Sequence, residues 1–211
     1  MIPLKSDAAS RTFSLVNTLL ILICMAVFYA QTRYRIQTWF VPLDFIHSLL
    51  YPSPETLRAL CALGVSFFLH ASLFHLLSNM WYLWIFGTAT AQALGGIGYL
   101  GVFTACGVLS MVIQAASTPF SRVPVVGASG AIAGVMGVYC VFFPLSRLVL
   151  WIPPIFFIRV PAVVFLVLWF ALQYASWAFH SLPGVALWAH MGGFMAGALT
   201  GLFLRLRSRR Q

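Results

Sequence analysis

Six long apolar stretches, separated by short interruptions rich in glycine, proline or charge, set the pattern of this chain: about 13–30, 72–92, 97–116, 129–143, 161–178 and 187–204. An apolar run of about 18 or more residues is long enough to cross the ~30 Å hydrocarbon of a bilayer as a helix. Polar side chains in the first run are confined to Ser14, Asn17 and Thr18. Gly95, Gly96 and Gly98 mark a short turn between the second and third runs, and the connection 144–160, with Pro153 and Pro154, reads as a loop. The connection 31–69 differs. Its Pro42, Pro52 and Pro54 exclude one long helix, yet Trp39, Phe40, Phe45, Leu49, Leu50 and Tyr51 make it too apolar for a solvated linker. It is expected to lie partly inserted at the membrane interface. The expected fold class is all-α: a polytopic membrane bundle of six transmembrane helices over 13–204, between a short N-terminal tail (1–12) and a basic C-terminal tail (205–211).

Composition supports the pattern. Of 211 residues, 62% are hydrophobic and 7% charged, against about 25% charged in a soluble domain. No room remains for a separate soluble domain. The net charge of +9 reports orientation before it reports any nucleic acid, and no nucleic-acid partner is expected. With six crossings, Lys5, Arg11, Arg147, Arg159, Arg205, Arg207, Arg209 and Arg210 fall on one side, and Arg33, Arg35, Arg58 and Arg122 on the other. Eight against four places both termini in the cytoplasm. The expected setting is a bacterial inner (plasma) membrane, with the C-terminal arginines against an anionic leaflet. The first run lacks a small-residue cleavage site and reads as a retained span. Cys24, Cys61, Cys106 and Cys140 are scattered and read as free thiols, so neither a disulfide nor a metal site is expected.

The acids narrow the chemistry. Asp7, Asp44 and Glu55 all precede the second run, and none lies inside an apolar stretch. A Ser-His-Asp triad with an embedded carboxylate is therefore not expected, nor a carboxylate-ligated metal.

The candidate chemistry begins at Val125-Val126-Gly127-Ala128-Ser129-Gly130-Ala131. Small neighbours leave the Ser129 hydroxyl uncovered, as a nucleophile requires, although small-residue runs are also ordinary packing faces in membrane helices. The fourth run has about 15 residues, which at ~1.5 Å each give roughly 22 Å, so Ser129 is expected to lie ~8 Å below the outer surface. His190 opens the sixth run, which descends from the same side. Gly193, Gly197 and Gly201 follow it on one helical face, and Gly130, Gly134 and Gly137 offer a matching face on the fourth. Close helix approach would let Ser129 and His190 share a hydrogen bond; the competing reading is a histidine satisfied by a backbone carbonyl. In the second run His75 and Asn79, four residues apart, share a helical face. Both can donate to a developing oxyanion, joined by the Ser129 N–H, or they can form a polar clamp between helices. His70 lies further out and is expected to brace the loop.

These segments resemble the rhomboid intramembrane serine proteases. The resemblance runs from about Gly64 to Leu204 and rests on H-x-x-x-x-H-x-x-x-N from His70, G-x-S-G from Gly127 and H-x-x-G-x-x-x-G from His190, in that order. It implies a rhomboid-like bundle in which Ser129 is the nucleophile and His190 its general base. His75, Asn79 and the Ser129 amide would form the oxyanion hole, with Gly127 shaping the turn and His70, Gly130, Gly193 and Gly197 in support. It further implies an endopeptidase without cofactor or metal, acting on single-pass transmembrane proteins in the lipid bilayer. The chain departs from the pattern at Cys61-Ala62-Leu63, where many members carry Trp-Arg. It also departs at Ala91, in place of an acid, and at Ala133, in place of an aromatic residue that stacks on the catalytic histidine. Phe165, Trp169 and Phe170 of the fifth run read as lipid-facing packing or as a flank past which substrate enters. Two rival readings are a catalytically silent rhomboid-like protein that binds membrane clients, and a haem protein ligated by His70 or His75 with His190.

Overall fold

The computed structural model describes residues 1–8, 13–154, 156–179 and 186–208. The expectations for Arg11, Arg209 and Arg210, and most of the 179–186 connection, lie outside the described residues. The chain is mostly helical, as its apolar runs dictate. Helix α1 (Leu15–Tyr34) is capped by Ser14, whose hydroxyl accepts the Asn17 N–H. In the long connection stand two short helices, α2 (Pro42–Leu50) and α3 (Glu55–Val65). Pro42 opens α2, where its missing N–H costs nothing, while Pro52 and Pro54 separate the pair. The connection is therefore built rather than loose. Phe40, Phe45 and Leu63 bury against Phe67, Met111 and Val125 to form a second, smaller core.

Helix α4 (Leu73–Tyr82) is capped by Ser72 and continues through a π-helical turn, Leu83–Gly87, into α5 (Thr88–Ser117). The turn widens the helix, and Asn17 serves it: its Nδ2 donates to the Leu83 carbonyl (3.0 Å) while its Oδ1 accepts from Tyr99 OH (2.6 Å). That accounts for the buried polar residue in an apolar α1. Gly95, at φ 70°, ψ 165°, interrupts the helical backbone of α5 where the glycine-rich turn was expected. Helix α6 (Ser129–Phe142) is the hub, with every residue from Gly130 to Tyr139 buried. After it come α7 (Ala162–Ala178) and α8 (Leu187–Ser208). Arg205 and Arg207 belong to that last helix and not to a separate tail.

Among the described residues, three helical stretches are long and apolar enough to cross a membrane: Leu15–Tyr34, Leu73–Ser117 and Leu187–Ser208. Ser129–Phe142 and Ala162–Ala178 are shorter apolar helices.

The all-α expectation needs correction. Strands β1 (Ile2–Ser6), β2 (Arg147–Ile152) and β3 (Phe156–Pro161) form an antiparallel sheet in the order β1-β2-β3. Residues 2–6 are thus a strand and not a free tail, and the expected loop over 144–160 contains a hairpin. Its alternation was present in the sequence: Leu148 and Leu150 are fully buried between outward neighbours. A lone two-stranded hairpin is marginal in water. Here the third strand and the end of α6 steady it, because Tyr139 OH bonds to the hydroxyls of both Ser6 and Ser146.

Helix α6 packs more extensively on α8 than any other pair of elements does on each other. The reason is the glycine face. A Cβ on Gly193 would run into the Gly130 carbonyl, and one on Gly197 into the Gly134 carbonyl. Backbones meet where side chains would otherwise hold them apart.

Candidate active site

Ser129 is the first residue of α6. The chain enters through Gly127, whose φ of 109° lies in the region that side chains disfavour. This turn is tied down on both sides: the Gly127 N–H donates to the Ser66 carbonyl (2.9 Å) and the Val125 N–H to the Phe40 carbonyl (2.8 Å). His190 lies in the first turn of α8, and the neighbouring Ala189 N–H donates to Gln114 Oε1 (3.0 Å). The glycine contacts between α6 and α8 then bring the two side chains together. Ser129 Oγ lies 2.8 Å from His190 Nε2.

His190 Nδ1 is also engaged, 3.2 Å from Gln173 Oε1 on α7. An amide oxygen only accepts, so the tautomer that satisfies both contacts carries its proton on Nδ1 and offers the Nε2 lone pair to the Ser129 hydroxyl. The ring is flanked by Trp169, one turn before Gln173, at a centroid distance of 5.9 Å. With Ala133 on α6, the aromatic neighbour of His190 comes from α7 instead. Both ring nitrogens are thus occupied by protein partners, an arrangement that does not suit a haem ligand.

His75 and Asn79 gather around the same turn. A Cβ on Gly127 would stand 2.7 Å from His75 Cε1, 2.9 Å from its Nε2 and 3.3 Å from Asn79 Nδ2. Asn79 Nδ2 is buried with no hydrogen-bond partner among the described residues, a costly condition for an amide donor. Helix α6 adds the free N–H groups of its first turn. All of these border one cavity of about 920 Å³, which His75, Asn79, Ser129, Trp169, Gln173 and His190 line together. Ser129, His75 and His190 remain partly exposed, so the cavity reaches them.

His70 stands behind this group. It is fully buried, its ring edge-on to His75 at 5.3 Å, with Nδ1 donating to the Phe68 carbonyl (3.1 Å). Gln31 on α1 holds its backbone from both directions: Nε2 donates to the His70 carbonyl (2.9 Å), and Oε1 accepts its N–H (3.0 Å). Burial, with the neighbouring His75, pushes its pKa down to about 4. Gly130 sits against the Ser110 side chain, while Gly193 and Gly197 form the interhelical seam.

Of the residues singled out by sequence, Ser129, His190, His75 and Asn79 line one cavity, while His70, Gly127, Gly130, Gly193 and Gly197 lie outside its lining. Gln173 and Gln114 were missed, and Trp169, read as lipid-facing packing or a substrate flank, stands beside His190 instead. A signal existed for the glutamines, since Gln173 is the lone amide of α7 and Gln114 that of the apolar run 97–116, where polar groups face the bundle. Phe165, expected toward lipid or entering substrate, is instead buried against Phe86 and Tyr82, and Phe170 packs on Phe194.

A family model described as "Rhomboid domain" matches residues 57–207. The chain is similar to "Presenilin-associated rhomboid-like protein, mitochondrial" of Rattus norvegicus, 34% identical over 111 residues, 50% of this chain and 29% of that protein. It is similar to "Rhomboid protein 1, mitochondrial" of Saccharomyces cerevisiae, 30% identical over 149 residues, 66% of this chain and 40% of that protein. "RHOMBOID-like protein 1" of Arabidopsis thaliana is 32% identical over 179 residues, 75% of this chain and 42% of that protein. The matches span less than half the length of each of these relatives.

Proposed function

This chain belongs to the rhomboid family, and from that premise we propose that it is an intramembrane serine endopeptidase working through a Ser129–His190 dyad. The observation that carries the reading is the 2.8 Å hydrogen bond between these side chains, in a cavity that also holds an unpartnered Asn79 amide donor. His190 Nε2 takes the Ser129 proton as Oγ attacks the scissile carbonyl carbon. The carbonyl oxygen becomes an oxyanion facing Asn79 Nδ2, the His75 ring N–H and the first N–H groups of α6. His190 then passes its proton to the departing amine, leaving an acyl group on Ser129. Water, deprotonated by the same imidazole, releases it. A neutral His190 is required at the start of acylation and again of deacylation, so activity falls as acid protonates it.

The substrates we infer are single transmembrane segments, since the cavity lies among apolar helices. A six-crossing topology supports this. The 45-residue stretch Leu73–Ser117 would run ~67 Å as one straight helix at ~1.5 Å per residue, more than twice the ~30 Å core. Its break at Gly95 divides it into two crossings. With α1, α6, α7 and α8 the count is six. At roughly 21 Å, α6 stops short of a full bilayer and leaves Ser129 below the surface. The printed names of the rat and yeast relatives are mitochondrial, so the expectation of a bacterial plasma membrane gains no support from them. The proposal concerns the bilayer and its crossings.

The deciding experiment treats purified protein with a serine-directed phosphonate and maps the adduct by mass spectrometry, beside cleavage of a panel of single-span substrates. Labelling should fall on Ser129 and vanish in His190→Ala, and Ser129→Ala should cut nothing. If wild type and Ser129→Ala leave every substrate equally intact, and no adduct forms, the client-binding alternative takes its place.

A further inference from the structure

His190 leans on more than the serine. We infer that Gln173 is a positioning residue that takes the third place in the site, holding His190 in the tautomer and orientation that a base toward Ser129 requires. The inference rests on the endopeptidase reading for its kinetic consequence but not for its geometry.

The geometry is specific. A neutral imidazole has one N–H and one lone pair, and only the Nδ1–H form can accept the Ser129 proton at Nε2. Gln173 Oε1, 3.2 Å from Nδ1, can be satisfied only by that form. The opposite tautomer would set two acceptors against each other. None of the three acids is available for the task. Asp7 Oδ1 accepts the Arg147 N–H at the sheet, Glu55 accepts from the Ser53 hydroxyl, and Asp44 belongs to α2. Among the described residues that line the cavity, the titratable neighbours of His190 are His75 and Tyr82; α7 brings the Gln173 amide and the rings of Trp169 and Trp177. A neutral acceptor suits this place. It fixes the proton without adding a charge that apolar surroundings would have to solvate.

Trp169 and Gln173 are four residues apart on α7, so both reach His190 from one helical face. Apart from these contacts, the buried residues of α7 are Ala162, Phe165 and Leu166, all in its first turns beside the sheet. The second half of α7 meets the site through Gln173 and Trp177, which both line the cavity, and of the two Gln173 is the one bonded to His190.

The test compares Gln173→Leu, which keeps the volume and removes the acceptor, with Gln173→Glu, which keeps an acceptor oxygen. Full-chain protein in detergent is assayed on a single-span substrate across pH, and the His190 tautomer is read by ¹⁵N NMR of ring-labelled protein. Gln173→Leu should lower kcat about tenfold at a KM within about twofold, the worth of one oriented hydrogen bond. Its ¹⁵N spectrum should show mixed tautomers where wild type shows Nδ1–H. Gln173→Glu should restore most of the rate at neutral pH and move the acid limb upward by roughly one unit, since an adjacent carboxylate favours the imidazolium. Wild-type kcat, pH profile and tautomer in Gln173→Leu would overturn the inference. Should wild type itself prove inactive and unlabelled, the endopeptidase reading fails alone, and the tautomer measurement still decides the role of Gln173.

Discussion

His70 has to stay neutral, because it is fully buried and its ring meets that of His75. Its pKa near 4 lies below the ordinary ~6.5, so the folded protein resists a proton that the unfolded chain accepts. The sign follows. Stability is whole above about pH 6.5 and is lost as pH falls toward 4, by up to roughly 3 kcal/mol at ~1.4 kcal/mol per unit. Thermal midpoints measured between pH 7.5 and 4.5 should decline less in His70→Gln than in wild type; equal slopes would remove His70 as the cause. Other residues of the site differ in how openly the sequence showed them. Ser129 and His190 announce themselves through flanking glycines, and His75 with Asn79 through a four-residue spacing. Gln173 was hidden because the third member expected beside a serine and a histidine is a carboxylate, and none lies in the apolar runs. An amide does the same orienting without a charge, and nothing in its local spacing marks its partner 17 residues away on another helix.

At the scale of elements, the apolar runs foretold the helices because a membrane chain must close its backbone hydrogen bonds within each segment. The sheet escaped for a physical reason. Pro153 and Pro154 read as a breaker, yet they join two strands whose third partner, Ile2–Ser6, lies more than 140 residues away. Pairing at that distance leaves no local mark of the third strand, although the alternation at Leu148 and Leu150 was there to read. The α6–α8 seam, by contrast, was legible as glycine spacing, and the contacts grade it. Gly193 and Gly197 abut carbonyl oxygens of α6, whereas a Cβ on Gly201 would meet Val138 Cα at 3.2 Å and Val141 Cβ at 3.3 Å. Backbone cannot yield as a side chain can. Gly197→Ala should therefore destabilise by about 3 kcal/mol or more and lengthen the Ser129–His190 contact. Gly201→Ala should stay within about 1 kcal/mol, its small crowding offset by the better helix propensity of alanine. Thermal midpoints in detergent, with phosphonate labelling rates, separate the two; equal losses would contradict the graded seam.

On the scale of the whole molecule, three separate contacts gather the same end of the bundle. Strand β1 pairs with β2, which follows the C-terminus of α6. The Trp81 indole on α4 donates to the Pro3 carbonyl (2.6 Å), and the Arg205 guanidinium on α8 donates to the Val141 carbonyl near the end of α6 (2.6 Å). The start of the chain and the end of α8 thus lie together. Ser129 opens at the opposite end of α6, where Gln31, His70 and the Phe40–Val125 bridge are found. With residues 2–6 and 205–208 at one end of the bundle, an even number of crossings lies between them, as the proposed six would require. The basic residues divide accordingly: Lys5, Arg147, Arg159, Arg205 and Arg207 on the shared end, Arg33, Arg35, Arg58 and Arg122 near the other. By the bias of short loops we propose that the shared end faces the cytoplasm. Single cysteines in a background lacking the four native ones give the measurement. In sealed cells or organelles an impermeant maleimide should label Arg122→Cys from outside, and should reach Lys5→Cys and Ser208→Cys only after lysis. Labelling of Lys5→Cys and Arg122→Cys from the same side would refute the even crossing, and with it the depth at which Ser129 is placed.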